Sequence, residues 1–141
     1  MFHEVANAGK LSPDELRGRY DDRLAAVVDE YGVEEVSEVS GVEREVVEAL
    51  AASDSPDITL EEGATVLAVA EDEPDAEAIV METRDHLLMG MTTAVLDVEA
   101  VESGIDGAFD AREIQQKIEG RLRMTLDELA QLQSYIDGQG R

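Results

Sequence analysis

Cysteine is absent from the 141-residue chain, which excludes a disulfide scaffold, a zinc ribbon and thiol catalysis. There is no Gly-rich phosphate loop and no nucleophile elbow, and no serine sits in a motif that would activate it. Neither enzymatic activity nor a cofactor is expected. The acidic pairs Asp21-Asp22, Glu34-Glu35 and Glu61-Glu62 lack the glycine-centred oxygen pattern of a calcium loop and read as solvated faces. His86 lies at helical spacing from Glu82 and Asp85, but an ordinary helix residue is the better reading, so no metal is expected. The longest uncharged, strongly apolar stretch covers the 11 residues from His86 to Leu96, short of the about 20 that span a bilayer. The stretch Met1 to Val5 lacks the basic start and apolar core of a signal peptide. The expectation is a cytoplasmic protein with no membrane partner.

Lysine is nearly absent too. Lys10 and Lys117 are the two lysines among 11 bases, against 34 acids, for a net charge of −23. An apolar fraction of 43%, with Val, Leu and Ile at helical spacing, excludes a disordered acidic tail. A chain of this length buries roughly 70% of its unfolded surface. Many acids with few lysines resemble the composition of proteins from extreme halophiles. Molar salt shortens the Debye length to about 3 Å and screens the self-repulsion, which in dilute buffer destabilises the fold. The acidity therefore reports the solvent more than a partner.

Helix signals are frequent and strand signals nearly absent. Ser12-x-x-Glu15 is a capping box with Pro13 at the first helical position. Leu16, Tyr20, Leu24, Val27, Val28 and Tyr31 then mark one face, and Gly32 ends the helix. Arg17, Arg19 and Arg23 on this helix are interleaved with acids, and i,i+4 pairing accounts for them. A short helix with Val33, Val36 and Val39 closes at Gly41, and a third carries Val46, Val47 and Leu50. After a loop around Pro56, Thr59-x-x-Glu62 opens a fourth with Leu60, Ala64, Leu67 and Ala70. Asp72 to Asp75, around Pro74, punctuates the middle. A long helix with Ile79, Thr83, Leu87, Met91 and Val95 follows. Asp97 opens a short helix ended by Gly104, Asp110-x-x-Glu113 opens one closed by Gly120, and Thr125-x-x-Glu128 opens the last, with Gly138 and Gly140 in a frayed tail.

The order long, short, short, medium thus occurs twice. Thr59, Leu60, Glu62, Ala64 and Val66 recur 66 residues later as Thr125, Leu126, Glu128, Ala130 and Leu132. Val33 and Val36 recur as Val98 and Val101; Val46 and Leu50 recur as Ile114 and Ile118. This pattern reads as a degenerate internal duplication: an N-terminal segment over 1–11, a first unit over 12–73 and a second over 74–141. The expected fold is all-α, two degenerate four-helix units packed in tandem.

Each unit resembles the helix-turn-helix domain of phage-repressor-like transcription regulators. The resemblance runs through Val33, Val36, Gly41, Val42, Val47, Leu50 and Thr59-Leu60 in the first unit. In the second it runs through Asp110 to Gly120 and Met124 to Leu129, with Ile114 to Gly120 the nearest local match. It implies a short helix, a glycine-bearing turn, a recognition helix and a packing helix. The pattern is departed from at Ser37, where alanine is usual, and in the second turn, Ser103 to Phe109, which is longer than a tight one. The whole chain is also similar to an uncharacterised family of halophilic archaeal proteins, which implies a habitat and no activity.

The two implied recognition helices differ in charge. From Glu43 to Asp54, Arg44 faces four acids, a surface that repels phosphate. Between Arg112 and Arg123 the bases Arg112, Lys117, Arg121 and Arg123 outnumber Glu113 and Glu119. Gln115 and Gln116 share that helix, and Gln and Arg side chains read adenine and guanine in the major groove. Arg112, Gln115, Gln116, Lys117, Arg121 and Arg123 are therefore the candidate contacts to double-stranded DNA, and the leading expectation is a non-enzymatic DNA-binding regulator of a halophile. The alternative is an adaptor or oligomerisation module that binds another protein, or itself, through the apolar segment Leu87 to Met91. A regulator needs Gln115, Gln116 and Lys117 exposed with no acid beside them; an adaptor needs an exposed apolar patch elsewhere.

Overall fold

A computed structural model describes residues 2–70 and 73–139. Among them there are eight α-helices and no strand, as the helix signals predict. The helices are α1 (Pro13–Tyr31), α2 (Val33–Ser40), α3 (Arg44–Ala51), α4 (Leu60–Leu67), α5 (Ala76–Ala94), α6 (Val98–Gly104), α7 (Ala111–Ile118) and α8 (Leu126–Gln139). Two short 3-10 turns, Phe2–Glu4 and Ala8–Lys10, precede them. No helix among the described residues is long and apolar enough to cross a membrane.

The caps explain where the helices begin. Ser12 accepts from the Glu15 amide at 3.1 Å, and the Glu15 carboxylate accepts from the Ser12 amide at 2.9 Å. The same reciprocal box forms between Thr59 and Glu62 and between Thr125 and Glu128. Each satisfies two otherwise orphaned amides and contributes about 1 kcal/mol. Asp75, Asp97 and Asp110 cap α5, α6 and α7 with their side chains alone. Asp110 departs from the expected box because Glu113 turns its carboxylate to Lys117 instead. Asp72, expected in the same turn as Asp75, lies outside the described residues, as does Gly140.

Gly138 is not in a frayed tail. It continues α8 and lies against Gly9, where a Cβ would sit 2.5 Å from the Asp137 carbonyl carbon. This close approach fastens the N-terminal segment. Phe2 is buried alongside and meets Tyr20 edge-on, with ring centroids 5.2 Å apart.

The two halves correspond element by element. α1 and α5 are each 19 residues long, and the buried stripe Leu16, Tyr20, Leu24, Val28 has its counterpart in Ile79, Thr83, Leu87, Met91. Between α4 and α8 the chain makes a single antiparallel bridge at Thr59 and Thr125. The Leu60 amide donates to Met124 O at 2.7 Å, and the Leu126 amide donates to Ile58 O at 2.9 Å. This reciprocal pair marks a pseudo-two-fold axis. Packing follows it: α4 rests on α1 as α8 rests on α5, and across the halves α4 rests on α5 as α8 rests on α1. Each half completes the core of the other, so the buried residues form one continuous cluster.

The pairing also builds a polar seal on α1. The Arg17 guanidinium is buried and donates to Asp21 at 3.0 Å, to Asp127 on α8 at 2.9 Å and to Pro56 O at 2.6 Å. Ser55 donates to Asp21. The i,i+4 pair read from sequence is present, but it lies under the loop between α3 and α4 rather than on a solvated face.

Candidate interaction surface

The amphipathic helix α7 buries Ile114 and Ile118. That fixes the direction of every other side chain on it. Arg112 and Gln115 point outward, and Gln116 is half-buried. Lys117 does not join them. It follows Ile114 by three positions and precedes Ile118, so it turns inward and is 5% exposed. Its ammonium lies 2.8 Å from Glu113, pairs with Glu128 at the start of α8, and sits 4.8 Å above the Phe109 ring. Burial pulls its pKa down, but the hydrogen bonds to Glu113 and Glu128 outweigh this and hold it above the usual value. Lys117 is thus a tie between α7 and α8, with no reach to a phosphate or a base.

The outward residues are largely matched by acids. Gln115 donates to Glu119 at 3.2 Å, and Arg121 pairs with the same carboxylate. Those bonds lower the Glu119 pKa and keep it charged. Arg112 and Arg123 are exposed. Of the six candidate DNA contacts, Arg112, Arg123 and the side chain of Gln116 are left without an acid or a side-chain partner among the described residues.

The apolar segment Leu87 to Met91 is divided by the 3.6-residue period. Leu87 and Met91 enter the core. Met89 is exposed on one flank of α5, beside Ile136 and His86. Leu88 is exposed on the other flank, one heptad after Met81. There the chain forms a groove of about 770 Å³ between α4, α5 and the end of α7, floored by Val80, Met81, Leu88 and Ile118. Past Leu88 and Ile118 it continues into a second hollow of about 260 Å³. Glu61, Glu77, Asp85 and Glu119 line the larger part, against Arg84 as its base. Sequence reading did not single out this groove. Its apolar floor joins residues far apart in the chain, and of these Leu88 alone falls in the segment Leu87 to Met91 that the sequence singled out.

His86 serves neither surface. Its Nε2 lies 2.9 Å from Asp137 on α8, and its ring is 5.4 Å from that of His3. The hydrogen bond to Asp137 raises the His86 pKa, while burial, then the neighbouring His86, lowers that of His3. Among the described residues no group of three or more metal-ligating side chains comes together.

The model of DUF5791, a family of unknown function, matches residues 16–139, and the chain belongs to that family. No curated protein and no solved structure matches it.

Proposed function

We propose that this member of a family of unknown function is a protein-binding adaptor. One observation carries the reading: large apolar side chains, Met81 at 62% and Leu88 at 44% exposure, line an open groove on a strongly acidic chain. Scattered exposed apolar residues are ordinary, but a contiguous apolar floor with a charged rim is the pattern of a protein contact. The α7 surface gives DNA reading less support. Lys117 is turned inward, and Glu119 occupies both Gln115 and Arg121. A base-reading helix needs those donors free.

The test is retention of a pool of random duplex DNA in molar potassium chloride, with wild type beside the triple variant Arg112→Ala, Arg121→Ala, Arg123→Ala. The expected result is no selected fragment and no difference between the proteins. Sequence-selective retention that the triple variant loses would overturn the adaptor reading.

A further inference from the structure

The pseudo-two-fold axis allows the groove to be compared with its own counterpart. α1 and α5 begin, cap and end 63 residues apart, which places Arg17 and Asp21 opposite Val80 and Arg84. On α1 this flank is closed. The loop between α3 and α4 crosses it in an irregular, non-helical course, with Pro56 O on Arg17 and the Ser55 hydroxyl on Asp21. On α5 the flank is open. The turn between α7 and α8 folds back on α7, where the Arg121 and Leu122 amides both donate to Gln116 O. It leaves α5 uncovered apart from Gly120, against which the Arg84 guanidinium lies.

Among the described residues, the open flank has unmet polar groups where the closed one shows none. Arg17 uses all three nitrogens. Arg84 pairs with Glu61 through one, at 2.7 Å. Its Nε is a buried donor without an acceptor, and Glu61 Oε1 is a buried acceptor without a donor. Native structures rarely leave such groups unpaired. Both atoms are occluded in the free chain, so the Arg84 and Glu61 side chains must turn outward to meet a ligand; an extended backbone then carries both complements, a carbonyl for Arg84 and an amide for Glu61. Its side chain can then enter between Met81, Leu88 and Ile118.

We infer that the α4–α5–α7 groove takes an extended segment of a partner protein, carrying a bulky apolar residue with Lys or Arg beside it. The inference rests on the adaptor reading and names the occupant. The basic residue follows from the four acids and one base that line the groove. Charge also argues against a second copy of this chain, because two such rims would face each other as like charges in a protein of net charge −23.

The experiment selects binders to the full chain from two displayed libraries, one of random linear decapeptides and one of amphipathic helices. Sedimentation of the free chain runs in parallel. The expected result is enrichment of linear peptides with Lys or Arg next to Leu, Ile, Met or Phe. Their affinity falls about tenfold or more in Leu88→Ser, as loss of a buried leucine contact requires. It falls again in Arg84→Met, which circular dichroism first confirms as folded. Met81→Ser, at an exposed position, provides a second test if Arg84→Met does not fold. Enrichment of helices only, or of peptides without basic residues, overturns the inference and leaves the adaptor reading standing. A dimer broken by Leu88→Ser does the same. A monomer that selects nothing from either library overturns both.

Discussion

Lys117 separates the two readings of α7 most sharply. Lys117→Ala removes three methylenes from a buried stem, worth about 0.8 kcal/mol each. It removes the contact over Phe109, about 0.5–1 kcal/mol. It also removes two ion pairs whose acids are partly exposed, about 0.5–1 kcal/mol each after screening. The expected loss is about 4–5 kcal/mol, or roughly 8–20 °C in Tm for a chain of this size. Lys117→Met keeps the stem and should lose only the charge contacts, about 1.5–3 kcal/mol. Urea unfolding followed by circular dichroism, in molar potassium chloride, measures both. The charge part has a pH signature as well. With the folded pKa raised above 10.5, the pairing stabilises fully below that value, and its contribution is lost as pH rises through the folded pKa. The gap between wild type and Lys117→Met should therefore close in strong alkali. A Lys117→Ala protein within about 0.5 kcal/mol of wild type would refute the inward placement, and with it the case against α7 as a reading helix.

Three further substitutions test the packing that holds the groove in place. Arg17→Met strands the buried Asp21 carboxylate with Ser55 alone; a loss of about 3 kcal/mol is expected, with faster amide exchange in the loop around Pro56, and slow exchange there would contradict the seal. Gly9→Ala places a Cβ against the α8 backbone and should cost about 2 kcal/mol or more, with proteolysis in the first ten residues reporting release of that segment. His86, raised by its bond to Asp137, gives stability that is present below pH 6.5 and lost as pH rises through its folded value, while the lowered His3 loses stability as pH falls below 6.5. His86→Gln should therefore lower Tm more in mild acid than in mild alkali, and the reverse order would show that the Asp137 bond does not hold.

What was legible in the sequence was local. The capping boxes at Ser12, Thr59 and Thr125 act over three residues, and they place α1, α4 and α8 correctly. The stripes on α1 and α5 recur every three or four residues and identify the buried faces, except that Val95, read into the α5 stripe, lies past the helix end in a left-handed conformation and is exposed. Side-chain direction on α7 was also within reach. The pair Ile114 and Ile118 fixes the inner face, and Lys117 lies between them on the wheel, yet counting charges by window kept it with Arg112. Treating Leu87 to Met91 as one patch overlooked the same period. Gly138 was misread because its reason is distant: small residues meet there so that two backbones can approach. The groove depends on where the turn after α7 folds relative to the loop after α3. That difference is tertiary, and no spacing within either half encodes it.

The account rests on the open flank of α5 being where a partner sits. Amide chemical shifts of the isotope-labelled full chain, titrated with a selected Lys- or Arg-bearing linear peptide, test this directly. The predicted changes gather on Thr65, Met81, Arg84, Leu88 and Gly120, with Arg112 and Arg123 unmoved. Changes centred on Arg112, Gln115 and Arg123, with α5 silent, would contradict it.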